Sequence, residues 1–153
     1  LAAARMAKNG QSTKDVESSA HYVKKRVRLL AYLDTLEYVW RSGRVPRVAV
    51  WATSLLNMKP VMEFSRGKVG NFGKPRSRRK AMELIRKEMG KSIGALPAHI
   101  AVMHADAEEE ANHLYQMIKD EFNCTELFIS SFPGFMGAHT GPGLVGAAFW
   151  ADT

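Results

Sequence analysis

A histidine–threonine pair, His139 and Thr140, interrupts the otherwise apolar stretch GFMGAHTGPGLVGAAFW near the end of the chain. Glycines at positions 134, 137, 141 and 143 allow the backbone to turn tightly and to approach a neighbouring group closely. The imidazole and the hydroxyl would then project from this bend as hydrogen-bond donors. A histidine that only caps backbone carbonyls is the structural alternative.

Arg44, in the segment SGRVP, is a second residue suited to binding an anion. Gly43 is expected to end a short helix, which places Arg44 where the chain reverses. A guanidinium aimed into a cleft can hold a carboxylate through two parallel hydrogen bonds. The same arginine could equally be solvated at the surface, so the residues alone leave both roles open.

Motifs of self-sufficient catalysis are missing from the sequence. It has no GxSxG, HExxH, Walker or Rossmann glycine pattern, and the spacing of its serines and histidines assembles no triad. Two histidines and two acidic residues fall close together in HADAEEEANH, namely His104, Asp106, Glu109 and His113. Their spacing matches no compact metal motif, and the glutamates suit a helix N-terminus. We therefore expect no metal site, no cofactor and no catalysis by this chain.

Charge is divided unevenly along the chain. Residues 1–91 carry 21 Lys and Arg against 7 Asp and Glu, whereas residues 92–153 carry 1 against 8. This favours an anionic partner for the first part, either nucleic acid, a phosphorylated ligand or an acidic protein face, unless the cations are merely solvated. The basic run KPRSRRK, residues 74–80, has few aromatic neighbours for stacking on bases, so its support for nucleic-acid binding is weak.

Short apolar runs predict about six strands interleaved with helices, in one α/β or layered α+β domain over residues 1–153. Strands are expected at LLAYL, HIAVMHA, ELFIS and LVGAAFW, and a hairpin in PVMEFSRGKVGNFG with Arg66 and Gly67 at its turn. Residues 127–151 contain no charged side chain, but two prolines and five glycines there argue against a membrane span.

Capping residues and helical spacing predict the helices. One ends before Gly10, a second begins at Ser12 or Thr13, and a short one covers LEYVWRS after Asp34 or Thr35. A helix capped by Ser77 turns Ala81, Leu84, Ile85 and Met89 inward, and an acid-started helix runs from Ala107 to Phe122. The segment Pro46–Asn57 fits either a strand or a helix.

The number of cysteines indicates the cellular compartment, and the first residues bear on whether the sequence is part of a longer protein. Cys124 is the only cysteine, so an internal disulfide is excluded and a reducing, cytoplasmic setting is the default. Residue 1 is Leu, and no signal segment opens the sequence, so we expect a piece of a longer protein, with a natural short form as the alternative.

Five segments occur in the order seen in the DegV family of bacterial fatty-acid-binding proteins, and the chain resembles that family over residues 1–150. They are LDTLEYVWRSGRV, KPVMEF, RSRRKAMELI, IAVMHADAEEEANHL and MGAHTGPGLVGAAFW. The resemblance is to the C-terminal half only, with residues 1–28 as a helical lead-in from an N-terminal domain. The Ser/Thr motif SSxLSGT of that other domain does not occur here.

The resemblance implies a site for each part of a fatty acid. Arg44 and His139 match the family's polar groups at the carboxylate, and Thr140 is a weaker candidate. Strand placement suggests five residues for the apolar tunnel: Phe128, Ile129, Phe135, Val145 and Phe149. The basic residues expected to dock a partner kinase are Arg76, Arg78 and Arg79. The resemblance also favours a helix over Pro46–Asn57.

The implied function is that of a carrier. The chain would bind one long-chain fatty acid, as ligand and with no other cofactor, and would present its carboxylate to a separate ATP-dependent fatty acid kinase that forms an acyl phosphate. The main alternative is a basic nucleic-acid-binding accessory module, based on the charge of residues 1–91. A hydrolase acting through His139 and an unrecognised serine is the third hypothesis.

Overall fold

The computed structural model describes residues 1–43 and 58–152. Its strands are β1 Arg28–Tyr32, β2 Val61–Ser65, β3 Lys68–Gly73, β4 Ala98–Ala105, β5 Cys124–Ser131 and β6 Leu144–Ala151. The helices within these residues are α1 Ala2–Lys8, α2 Thr13–Arg26, α3 Glu37–Arg41, α4 Arg78–Ile93, α5 Glu108–Glu121 and α6 Gly134–Thr140.

The strands form one mixed sheet in the order β3-β2-β1-β6-β4-β5. Neighbouring strands are antiparallel except β4 and β5, which are parallel and are joined by α5. The predicted α/β class and six-stranded mixed sheet flanked by helices are therefore confirmed.

Local sequence signals explain where several elements begin and end. Ser12 and Ser77 cap α2 and α4 by accepting hydrogen bonds from the backbone amides of Asp15 and Lys80, at 3.2 and 3.3 Å. The β2–β3 hairpin turns at Arg66 and Gly67, whose φ values are 51° and 72°, as a two-residue turn with left-handed backbone requires. These predictions from sequence are confirmed.

The two faces of the sheet differ in how they are covered. Side chains on what we call the closed face pack under α4 and α5; they include Leu30, Tyr32, Ile100, Val102, Val145, Ala147 and Phe149. The opposite, open face carries Leu29, Ala31, His99, Ala101, Met103, Phe128, Gly146, Ala148 and Trp150, because side chains alternate along a strand. Helices α1 and α2 lie over one end of the open face and α3 over the other.

The segment around His139 differs from the tight bend expected from its glycines. Residues Gly134–Thr140 form the short helix α6, which follows Pro133 and packs against α3. The chain reverses only afterwards, at Gly141 and Gly143, whose φ values are 77° and 85°. Contact with α3 therefore prevails over the low helix propensity of glycine.

Two other expectations concern the segment Pro46–Asn57 and the presence of a membrane-spanning helix. The segment Pro46–Asn57, expected to be helical, lies outside the described residues. Among the described residues, no helix combines the length and apolar character needed to cross a bilayer.

Candidate functional site

The predicted carboxylate site begins at the C-terminal end of α6. His139 is half-buried there. The hydroxyl of the next residue, Thr140, donates a hydrogen bond to the carbonyl oxygen of Met136 at 3.1 Å. Because that donor is used within the helix, the Thr140 oxygen faces other groups only as an acceptor.

Two glycines fix the bend that follows His139. A Cβ atom on Gly141 would overlap the ring of Tyr38 in α3, and one on Gly143 would lie 2.7 Å from Cβ of Asp34, two residues after β1. The Gly143 amide donates to the carbonyl oxygen of Ala105 at 2.7 Å. The bend is therefore held against the ends of β1 and β4, which positions α6 at this edge of the sheet.

Arg44 lies outside the described residues, so its convergence with His139 stays a prediction. Helix α3, which ends three residues before it at Arg41, packs against α6. Gly43 adopts the left-handed backbone expected after a helix, with φ 64°.

A charged network that the sequence analysis missed lies at the same edge. Asp34 accepts hydrogen bonds or ion pairs from Lys59 Nζ at 2.8 Å and Arg78 Nε at 2.9 Å. Arg78 also pairs with Glu110 at the start of α5. Burial alone would raise the pKa of Asp34, but the hydrogen bonds from Arg78 and Lys59 outweigh burial and hold that pKa below its usual range.

The network borders a polar recess of about 200 Å³, which is lined by Asp34, Arg78, Asp106, Ala107, Glu110, Pro142 and Gly143. Tyr32 reaches the network from the closed face. Its hydroxyl is buried and, among the described residues, has no hydrogen-bond partner. Burial first, and the carboxylate of Glu110 second, raise the pKa of this phenol far above its usual range, so it stays neutral.

The five predicted tunnel residues fall in three different places. Phe128 lies on the open face and lines a cavity. Val145 and Phe149 are completely buried in the core beneath α4 and α5, and Ile129 packs against the same core. Phe135, on α6, is 68% exposed. A role for these side chains in binding an acyl chain stays a prediction, and among them the placement favours Phe128.

The cavity beside Phe128 lies between the α1–α2 pair and the open face and has a volume of about 440 Å³. Its floor comes from Ala101, Phe128, Ala148 and Trp150, and its roof includes Met6 and Val23. Ligand pockets in proteins have volumes of about 300–1,000 Å³ and are mostly apolar. This cavity is therefore large enough for an apolar ligand.

A second, smaller recess of about 40 Å³ lies further along the open face, next to α6. Apart from Thr140 its lining is apolar: Ala31, Leu33, Val39, Met62, Phe64, Val69 and Leu144. The half-buried side chains of Leu29 and Met103 lie between the two cavities on the same face. Apolar surface thus extends from Thr140 to Trp150.

The three arginines predicted to dock a partner have different surroundings. Arg78 is held by Asp34 and Glu110, and Arg79 pairs with Glu83 one turn along α4, at 2.5 Å. Arg76 is exposed and forms no ion pair with any of the described residues. Of the three, Arg76 therefore has the guanidinium most accessible to a partner.

A basic groove of about 700 Å³ lies at the opposite end of the sheet from α6. Its cationic lining residues are Lys25, Arg26, Arg28, Arg66 and Lys68. Arg28 is paired with Glu63 and Glu88, at 2.8 and 3.2 Å. Trp150 borders the groove, but its ring is stacked on His99 and meets the Tyr22 ring edge to face. Its faces are therefore poorly available for stacking on a base.

No group of three or more metal-ligating side chains occurs among residues 1–43 and 58–152. His104 instead accepts a hydrogen bond at Nδ1, at 3.2 Å, from the backbone amide of Ala107, the residue that precedes α5.

Comparison with known proteins gives consistent matches over nearly the whole chain. The family model described as "Uncharacterised protein, DegV family" matches residues 1–152. Protein DegV of Bacillus subtilis is 33% identical over 148 residues, which cover 95% of this chain and 53% of that protein. The chain thus spans about half the length of the curated relatives it matches.

Solved structures of the same family have the same fold. The crystal structure of DegV from Bacillus subtilis, described as a fatty acid binding protein, matches with a TM-score of 0.83 and 31% identity. That match covers 99% of this chain and 55% of the other. A DegV family protein from Corynebacterium glutamicum matches with a TM-score of 0.89 and 25% identity, covering 99% of this chain and 58% of the other.

Proposed function

The chain belongs to the DegV family, and from this membership and the partly uncovered apolar face we propose that it binds a long-chain fatty acid. The acyl chain lies on the open face, and the carboxylate lies near His139 and Arg44. The observation that carries the proposal is the 440 Å³ cavity on that face. The Bacillus subtilis relative, which is described as a fatty acid binding protein, supports it.

The acyl chain supplies the affinity in this proposal. Each methylene moved from water into an apolar site contributes about 0.8 kcal/mol. A chain of about sixteen carbons thus gains on the order of 10 kcal/mol before the costs of association and ordering are subtracted. The extent of apolar surface from Thr140 to Trp150 suits such a ligand.

The carboxylate needs donors because a charged group near an apolar cleft loses hydration. His139 and the guanidinium of Arg44 supply hydrogen atoms, whereas the Thr140 hydroxyl donates to Met136 and must rotate before it can contribute. Without such donors the carboxyl group would have a raised pKa and would be a poorer nucleophile.

We further propose that a separate ATP-dependent kinase acts on the bound carboxylate. A carboxylate oxygen attacks the γ-phosphorus of ATP, the bond from that phosphorus to the bridging oxygen breaks, and acyl phosphate and ADP result. The chain binds and orients the carboxylate, and the kinase supplies the nucleotide site. Docking uses Arg76, whose guanidinium is accessible, more than Arg78 and Arg79, whose guanidinium groups are paired within the fold.

Lipid analysis tests the binding proposal. Organic extraction of the purified protein, followed by mass spectrometry, should release a stoichiometric long-chain fatty acid. Native mass spectrometry should show the corresponding mass on the folded protein. A protein that neither carries nor takes up a fatty acid would contradict the proposal.

A kinase assay tests the presentation step. Arg76→Ala should lower acyl-phosphate formation while bound lipid stays unchanged. Lys14→Ala, at an exposed position on α2, is the matched control. An equal loss of bound lipid in Arg76→Ala would contradict a docking role.

The basic groove favours a second candidate function, binding of nucleic acid, because its exposed cations include Lys25, Arg66 and Lys68. Phosphate contacts by these residues would give an affinity that falls steeply with salt. A gel shift with single-stranded and double-stranded oligonucleotides over a salt series tests it. Binding abolished by Lys25→Glu and Lys68→Glu would favour this function, and absence of any shift at low salt would exclude it.

A further inference from the structure

A plate of two stacked rings, Trp150 of β6 and His99 of β4, lines the open-face cavity near the end of β6 that is farther from α6. Their centroids are 4.2 Å apart and the ring planes differ by 3°. In the strand register these two residues are direct partners. The plate therefore crosses the path of any chain that runs along β6 from α6.

Neighbouring groups hold the plate from several sides. The two ring nitrogens of His99 lie 3.3 Å from carboxylate oxygens of Glu126 and Asp152. Glu126 also accepts a hydrogen bond at 2.9 Å from Arg5 of α1. Tyr22 of α2 meets the Trp150 ring edge to face at a centroid distance of 5.9 Å. A ligand must therefore displace several contacts at once to pass this point.

On β6, the open-face positions that lead to the plate are small residues, Gly146 and Ala148. Ala148 pairs with Ala101 on one side and with Leu29 on the other, and Gly146 pairs with Ala31. A Cβ atom on Gly146 would collide with the carbonyl oxygen of Leu30 and with Ala31, so no larger residue fits that position without a shift of the strands. These positions leave room above the sheet, next to the 440 Å³ cavity that Ala101, Ala148 and Trp150 line.

The distance along this floor is set by the strand itself. Leu144, beside the Thr140 recess, and Trp150 are six residues apart on β6, which corresponds to about 20 Å at the usual rise of a strand. A chain whose carboxylate is held near His139 thus meets the plate after a fixed number of methylenes.

We propose that Ala148 and the Trp150–His99 plate set the length of the acyl chain that this domain accepts. The inference rests on the proposed binding of a fatty acid and adds which chain length fits and why. Each methylene that finds room before the plate tightens binding about fourfold. Methylenes beyond the plate must displace the contacts that hold it, so affinity stops increasing with chain length or decreases.

Displacement of a fluorescent fatty acid by straight-chain saturated acids, from decanoic to eicosanoic acid, measures this length preference in the purified protein. Ala148→Leu fills the space above the sheet, so the preferred acyl chain should shorten by about two carbons. The acid that the wild type prefers should bind roughly tenfold more weakly to this variant. Trp150→Ala opens the end, so the preferred chain should lengthen by about two carbons. Ala95→Leu, an exposed position outside the cavity, is the matched control and should leave the preference unchanged.

A melting curve for each variant shows whether it is folded. Should Trp150→Ala not fold, Trp150→Leu replaces it, because the smaller apolar side chain still opens the end while covering the sheet. Shifts in opposite directions for the Ala148 and Trp150 variants support the proposal. Retained binding with the same preferred chain in all folded variants overturns it and leaves fatty-acid binding intact. A wild-type protein that binds no acid of the series overturns the proposed function itself.

Discussion

The closed and open faces of the sheet use the same strands but are packed differently. On β6 the alternate residues Val145, Ala147 and Phe149 are fully buried beneath α4 and α5. Ala148 and Trp150, whose side chains point to the opposite face, are only half-buried. The closed face is the core that holds the domain together. The open face has apolar surface without a complete cover of its own among the described residues, and this difference is why we assign the ligand to it.

The largest effect is expected from the same truncation made once on each face. Phe149→Ala removes a ring that is 1% exposed and should cost about 3–5 kcal/mol of the free energy of unfolding. Phe128→Ala, on the half-buried open face, should cost only about 1–2 kcal/mol. Urea denaturation of both variants measures the difference. Equal losses would mean that the two faces are equally well packed.

The second effect concerns ligand binding at the edge of the open face. His139→Ala removes a hydrogen bond to a charged group, so fatty-acid affinity should fall roughly tenfold to a hundredfold with the fold retained. His113→Ala, at an exposed position on α5, is the matched control. Fluorescent fatty-acid displacement measures both variants. Identical fatty-acid affinities of the His139→Ala and His113→Ala variants would show that His139 does not contribute to ligand binding.

The glycines around His139 give a third, smaller contrast. Gly141→Ala places a side chain on left-handed backbone and against the Tyr38 ring, which should cost about 1–3 kcal/mol of stability. Gly137→Ala lies within α6, where a Cβ atom would meet nothing within 4 Å, and should stabilise by about 0.5–1 kcal/mol. Thermal melting distinguishes them. A Gly141→Ala variant with the melting temperature of the wild type would show that Gly141 does not fix the bend.

The smallest effect depends on pH. Since the pKa of Asp34 is lowered in the folded protein, its network stabilises the fold above the unfolded pKa, about 4, and this contribution is lost as pH falls through the folded pKa. Asp34→Asn should therefore be less stable than wild type at pH 7, by about 1 kcal/mol or less after solvent screening, and the gap should close at low pH. Asp120→Asn, at an exposed position on α5, is the matched control. Urea titrations over a pH series measure it, and a gap independent of pH would contradict the role of the network.

The closed face could be predicted from the sequence because its signals are local. The helical spacing of Ala81, Ile85 and Met89 identified the buried side of α4, and all three are fully buried. Ser77 and the Arg66–Gly67 turn likewise marked their elements correctly. Capping residues and hydrophobic periodicity suffice to predict the bounds and the buried side of an element that is buried on one side only.

The open face could be predicted only in part. His139 was a candidate because a polar pair stands among glycines and apolar residues, and its role at the carboxylate stays a prediction. The face on which each tunnel candidate lies could not be predicted, since β5 and β6 carry apolar residues on both sides and the sequence does not tell which residue faces which way. Lys59 and Asp34 meet only through the fold, so no spacing in the sequence could have paired them.

The most direct test of the account uses alanine methyl groups on the two faces of β6. In a protein labelled with ¹³C at alanine methyls, nuclear Overhauser effects from a bound long-chain fatty acid should reach Ala148 and Ala101, which line the cavity. They should not reach Ala147 and Ala151, which lie in the core. Contacts confined to Ala147 and Ala151, or no contact with any alanine on the sheet, would contradict the assignment of the acyl chain to the open face.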